Sequence, residues 1–201
     1  KHLLIPLYLG LALLSVGDYG ILSWTPTLLS RKYALDPATI GLWFGAISAA
    51  GGILGSVVGG VMSDVAERRG GARARLASVA VAAAAAAGGA ALLSGGSAAM
   101  AYAGLAVWTF ASALGGTGGT AALGVVVPNE MRGVSISIMA FCNTLLGLGL
   151  GPTLVALATE QVYRDPVAVG AAMTLTIVPA GLLAALAFGR SGRVVARQVH
   201  S

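Results

Sequence analysis

Apolar residues in this chain come in long unbroken runs, without the two-residue alternation of strands. From Ile40 to Met62 no charged residue occurs, and seven glycines are spread through the stretch. At ~1.5 Å per residue such a run crosses a bilayer core of roughly 30 Å as a helix. Asp36-Pro37 opens it, an N-cap residue followed by proline at the first helical position. It gives way abruptly to Asp64, Glu67, Arg68, Arg69, Arg73 and Arg75. The same alternation of apolar run and polar turn predicts six spans, at about 3–30, 37–63, 76–93, 98–127, 134–159 and 167–189. Runs of this length, without period-two patterning, favour helices over a barrel.

The six runs divide three and three, over 3–93 and 98–189, with a basic tail at 190–201. The second run of each set is glycine-rich and ends on an acid, Asp64 in one and Glu160 in the other. The first of each set carries the polar and aromatic residues, and the third almost none. Three-helix units of opposite orientation in the membrane are the inverted repeat of many transporters. The pattern therefore predicts an all-α integral membrane protein, with six transmembrane helices forming two inverted three-helix repeats in one bundle over 1–201.

Composition strengthens this. Of the residues 57% are hydrophobic and 9% charged, where soluble domains carry roughly 25% charged residues. The formal charge of +5 does not point to nucleic acid, because the basic residues sit between spans. Nine cations (Lys1, Arg68, Arg69, Arg73, Arg75, Arg132, Arg190, Arg193 and Arg197) fall on the side of the N-terminus, and three (Arg31, Lys32 and Arg164) on the other. That segregation predicts both termini in the cytoplasm. The chain opens on Lys1, not methionine, so it is expected to have been cut or processed. Its first run is too long for a signal peptide, carries an aspartate and lacks a small-residue cleavage site.

Chemistry is sparse. Asp18 is the one charged residue deep inside a span, and an ionised aspartate at a helix centre costs about 2.5–3.5 kcal/mol on insertion scales. Tyr8, Ser15, Asp18 and Thr25 share one helical stripe. Asp18 is expected either to form a proton, cation or cationic-group site, or to hydrogen-bond a neighbouring helix. In span four, Ser112, Gly116 and Thr120 repeat at four residues, as do Gly115 and Gly119, a spacing that favours close packing over a polar cavity wall. Trp108 and Thr117 lie in the same span. Asn143 and Thr144 in span five need polar partners in lipid, as substrate contacts or interhelical bonds. Trp24 and Trp43 read as interfacial anchors. The lone Cys142 allows no disulfide within the chain. His2 and His200 are terminal, and neither a G-x-S-x-G nor a P-loop occurs, so no catalytic set, metal or cofactor is expected.

Gly60-Val61-Met62-Ser63-Asp64 followed by Arg68-Arg69 resembles the loop signature of the major facilitator superfamily, with Val65 where a basic residue is usual and Glu67 where glycine is usual. Gly147-Leu148-Gly149-Leu150-Gly151-Pro152 resembles the glycine–proline signature of the fifth helix in a half. A finer likeness to Spinster-like members rests on Trp24-Thr25-Pro26-Thr27-Leu28, Ile40-Gly41-Leu42-Trp43, Val127-Pro128-Asn129-Glu130-Met131-Arg132 and the stretch 146–152. The resemblance implies the C-terminal half of a twelve-helix transporter, pairing with an N-terminal six-helix half. It implies that spans one, two, four and five face the cavity. Asp64, with Arg68 and Arg69, would control closure of the cytoplasmic side, and Gly147, Gly151 and Pro152 would form a hinge or seal.

The expected function is secondary transport of a small organic or amphiphilic solute, anionic ones included, by alternating access with proton coupling. Asp18 would couple, and Ser15, Tyr19, Trp108, Thr117 and Asn143 would touch substrate. Family members of this kind move lysolipids or sphingoid phosphates in animals, and bacterial substrates are diverse. The alanine- and glycine-rich composition suggests a bacterial inner membrane. The alternative is a non-transporting six-helix structural or assembly subunit.

Overall fold

The computed structural model describes residues 4–199, whose regular structure is entirely helical. Lys1, His2 and His200 lie outside the described residues, as does the side chain of Arg197. In chain order the helices are α1 (Leu4–Tyr33), α2 (Pro37–Leu92), α3 (Ala98–Val126), α4 (Arg132–Leu157) and α5 (Val169–Val199). A 3-10 turn, Asn129–Met131, precedes α4, and a π-helical turn, Ala158–Tyr163, follows it. Each of the five contains a stretch long and apolar enough to cross a membrane.

Five continuous elements stand where six spans are expected, because the second and third runs share α2. Its 56 residues would reach ~84 Å if straight, far beyond a bilayer core. The helix is broken instead at Gly70 (φ −150°, ψ 19°) and Gly71 (φ 64°, ψ −165°), the second in a left-handed region open to glycine. The two arms, 37–69 and 72–92, run in opposite directions. Gly51, Gly55 and Gly59 of the first meet Thr109, Phe110 and Leu114 of α3 in parallel order. In the second, Val79 meets Gly118, and Gly89 meets Gly104 and Trp108, in antiparallel order. Two glycines thus do what a polar loop was expected to do.

Capping chemistry explains the remaining boundaries. Asp36 Oδ1 accepts the amides of Ala38 and Thr39 at 3.1 and 3.0 Å, starting α2. Hydrogen bonds from the Thr39 side chain and backbone hold the Asp36 carboxyl below the usual carboxylate range. Helix α1 runs past residue 30 because its last turn is tied to the α2–α3 turn. Lys32 Nζ donates to the carbonyls of Ser94 and Gly95 at 2.9 and 2.7 Å, and Tyr33 Oη donates to Gly95 at 2.7 Å. Ser97 Oγ accepts the Met100 amide at 3.3 Å and starts α3. The left-handed Arg164 (φ 52°) ends the π turn. Helix α5 continues through Arg190 and Arg193 to Val199, past the expected end at 189.

The core lies between α1, the second arm of α2, α3 and α5. Ile21, Leu28, Trp108, Met173 and Ile177 fill one end of it, and Leu7, Leu11, Leu76, Leu123 and Phe188 the other. The first arm and α4 are different. Each approaches the bundle most closely along a stripe of glycines, with Ile40 of the first arm and Val155 of α4 also buried, and leaves many large apolar side chains outside, including Ile53, Val57, Phe141 and Leu145. A Cβ on Gly59 would stand 2.7 Å from Leu114 Cα, and one on Gly55 would overlap the Phe110 carbonyl. Nothing lies within 4 Å of the equivalent position at Gly60. Gly55→Leu should therefore lower stability in detergent unfolding by about 1–3 kcal/mol or more, through forced separation of the arm from α3. Gly60→Ala should be neutral or slightly stabilising. Equal effects from the two would contradict a backbone contact at Gly55.

Candidate functional site

Asp18 sits near the middle of α1, and its surroundings are set by two residues one turn apart on α3. Trp108 Nε1 donates to Asp18 Oδ1 at 2.8 Å, and Ser112 Oγ donates to the same oxygen at 2.6 Å. Trp108 is 1% exposed and wedged against Gly17, where any Cβ would strike its ring. The glycine before the aspartate therefore lets the indole approach closely enough to bond it. Asp18 Oδ2 has no hydrogen-bond partner among the described residues. Of the two expectations for Asp18, the hydrogen bond to a neighbouring helix is present. The residue also lines a cavity of about 390 Å³.

Four helices contribute to that cavity: Ser15 and Asp18 from α1, Ser48 and Gly52 from α2, Ser112 and Thr120 from α3, and Asn143 from α4. Among the described residues, Ser48 Oγ and Asn143 Oδ1 have no hydrogen-bond partner. Buried polar atoms in such a state are costly unless something else completes them. Each of the four helices thus brings a polar group to one space, between apolar stretches of wall at Leu11, Leu14 and Ala113.

Of the residues predicted to meet substrate, the structure brings Ser15, Asp18 and Asn143 together. It does not bring Tyr19, Trp108 or Thr117 to the cavity wall. Tyr19 packs its ring edge over Gly147, Trp108 stands behind the carboxylate, and Thr117 falls outside the lining, one position from Gly116. Ser48 and Gly52 were not foreseen, since isolated small residues in an apolar run do not by themselves say which face meets a cavity. The four-residue repeat Ser112–Gly116–Thr120, expected to pack, faces the cavity instead. No atom lies within 4 Å of a Cβ position on Gly116, whereas Gly115 and Gly119 do pack, on Leu14 and Leu11. On the predicted α1 stripe, Tyr8 bonds to Ser135 of α4, and Thr25 is fully buried with no hydrogen-bond partner for its hydroxyl among the described residues.

Gly147 and Gly151 hold α4 against α1 at the level of Asp18. A Cβ on Gly147 would sit 2.9 Å from Ser15 Cβ, and one on Gly151 would overlap the Val16 carbonyl. The Pro152 carbonyl accepts Trp24 Nε1 at 2.9 Å, so this tryptophan is a hydrogen-bonded strut between helices. Near the Gly70–Gly71 break the ion pair of Asp64 is made by a residue outside the expected set. Arg75 Nη2 lies 3.5 Å from Asp64 Oδ1, and its Nε lies 3.4 Å from Glu67 Oε2. Arg75 also donates to the carbonyls of Ser63 and Ala121, at 3.4 Å each. Arg68 and Arg69 are exposed and take no part in this contact.

Arg75 is buried and joins both arms of α2 to α3, while the Asp64 side chain is 67% exposed. Arg75→Met should lower unfolding stability by about 1–3 kcal/mol, since the carbonyls it caps lose their donor. Asp64→Asn should change it by no more than about 0.5 kcal/mol, as for exposed ion pairs. A larger loss from Asp64→Asn would contradict this division.

Comparison with known proteins agrees with this architecture. The family model described as Major Facilitator Superfamily matches residues 1–152. No curated protein sequence matches the chain. Two crystal structures of a bacterial homolog to the human lysosomal transporter Spinster share the fold. The inward-facing, unoccupied form has a TM-score of 0.71 at 18% identity, covering 98% of this chain and 49% of that one. The inward-facing, occupied form has a TM-score of 0.70 at 18% identity, with the same coverage. The chain thus spans about half the length of these structures.

Proposed function

Because the chain belongs to the Major Facilitator Superfamily, we propose that it forms the C-terminal half of a secondary transporter, moving a small organic or amphiphilic solute by alternating access. The observation that carries this reading is the half-satisfied Asp18 carboxylate. It stands at mid-span in a four-helix polar cavity, beside Ser48 and Asn143 atoms that lack partners. A carboxylate at that depth is expensive unless it serves a site. Its Oδ1 is held by Trp108 and Ser112 in a fixed orientation, which leaves Oδ2 to take and release a proton. Trp108 and Ser112 therefore position the coupling group, and Ser15, Ser48, Thr120 and Asn143 offer hydroxyl and amide contacts to the solute.

The break at Gly70–Gly71 supports six crossings, since each arm of α2, at ~50 Å and ~31 Å, is long enough to cross one bilayer core. The packing supports two inverted repeats. Helix α4 lies parallel on α1 through Gly147 and Gly151, and the first arm of α2 lies parallel on α3 through Gly51, Gly55 and Gly59. A pseudo-two-fold that exchanges 3–93 with 98–189 interchanges these pairs. It also pairs the second arm with α5, which cross antiparallel where Ala87 meets Gly181 and Arg73 meets Gly192. The bare apolar faces of the first arm and α4 flank the cavity and suit an N-terminal six-helix half as partner. The cation distribution supports cytoplasmic termini in a bacterial inner membrane.

Transport assays on the full transporter in proteoliposomes test the coupling role. Asp18→Asn keeps an oxygen for Trp108 and Ser112, so it should fold and still exchange solute down its gradient. Uptake driven by a proton gradient should fall by at least about tenfold, an energetic loss near 1.4 kcal/mol. Undiminished proton-driven uptake would remove Asp18 from the mechanism.

A further inference from the structure

A second concavity lies on the opposite side of the α2–α3 contact from Asp18. The two arms of α2 and helix α3 leave an apolar groove of about 230 Å³, lined by Met62, Ser78, Val81, Ala85, Val107 and Phe110. On α3 its residues alternate with those of the cavity: Thr109, Ser112 and Gly116 face one way, and Val107, Phe110 and Leu114 the other. Small side chains on the second arm create the slot. Its opening is exposed at Met62, Val81 and Val107, on the outer surface of apolar spans.

One end of the groove has a distinct electrostatic character. Ser78 Oγ donates to the Arg75 carbonyl at 2.7 Å, and Met62 precedes the Ser63 carbonyl that Arg75 caps, so the groove ends at the charged turn. Arg69 stands one heptad beyond Met62 on the same helix face, and Arg73 begins the second arm. Both are exposed and form no ion pair or side-chain hydrogen bond among the described residues. The nearby acids, Asp64 and Glu67, are both engaged by Arg75. Uncompensated guanidinium charge thus sits at the mouth of a hydrocarbon slot, at the membrane surface. A helix, at about 10–12 Å across, is too thick for that slot.

We propose that this groove seats an acyl chain of an anionic bilayer phospholipid, with the phosphate held by Arg69 and Arg73. The slot supplies contact for the chain that a flat helix face lacks. The arginines supply charge that is matched only by an anionic headgroup. The site is independent of the transport reading, since it involves neither Asp18 nor the cavity.

Native mass spectrometry of the purified, delipidated protein, titrated with dioleoyl phosphatidylglycerol or dioleoyl phosphatidylcholine, tests the proposal. Each arginine near an anionic headgroup should contribute about fivefold, so the glycerol lipid should bind about twenty-five-fold more tightly than the choline lipid. Arg69→Gln with Arg73→Gln should bring the two lipids level. Ala85→Leu, which fills the slot, should weaken both at least fivefold and leave their ratio intact. Val81→Phe serves as a second blockade, and thermal unfolding in the same micelles verifies that each variant is folded. Equal binding of the two lipids would overturn the phosphate contact, as would a preference that survives loss of both arginines. Folded Ala85→Leu and Val81→Phe proteins that bind both lipids like the parent would overturn the chain seat.

Discussion

Two glycine-lined crossings, α4 on α1 and the first arm of α2 on α3, set the geometry on which everything else rests. In lipid there is little hydrophobic gain from bringing two apolar helices together, so association depends on close contact and interhelical bonds. Gly147 and Gly151 let the α4 backbone reach Ser15 and Val16, and Gly55 and Gly59 let the first arm reach Phe110 and Leu114. Each crossing is narrow. The two therefore hold four helices in place while keeping a gap between them, and that gap is the cavity around Asp18. A broader apolar interface would have closed it.

The carboxylate shows how a membrane protein keeps a charge-capable group at mid-depth. Gly17 admits the Trp108 ring, Trp108 and Ser112 fix one carboxylate oxygen, and the other is left to the cavity. The bonded oxygen offsets part of the burial cost. At the far end of the same helices Arg75 acts as a different kind of fastener. It caps carbonyls of the first arm and of α3 from its place on the second arm, and so holds the fold-back at Gly70–Gly71 against α3.

Much of this was legible in the residues. Run length and the Asp36-Pro37 start located most helix starts to within a few positions, though not the ends of the first arm and of α5, and burial cost alone singled out Asp18. The rest depends on facts that single positions do not carry. Gly70-Gly71 reads as part of a polar loop, yet one left-handed glycine was enough to reverse the chain without one. Arg75 looks like its neighbours Arg68, Arg69 and Arg73, and only the fold reveals that it alone points inward. Ser112, Gly116 and Thr120 have the same spacing as a packing stripe. Whether such a stripe meets a helix or a cavity is decided by which neighbour faces it, a tertiary property.

The central claim is that Asp18 borders a water-accessible space at mid-membrane depth, walled by four helices. Thiol labelling in membranes, in a Cys142→Ser background, measures this directly. A small hydrophilic maleimide should react with Ser48→Cys and Asn143→Cys on the cavity wall at rates well above that of Val81→Cys on the outer face. Protection of the first two by solute would strengthen the result. Reaction at Ser48→Cys and Asn143→Cys no faster than at Val81→Cys would mean that these residues meet hydrocarbon, and the account of the site would fail.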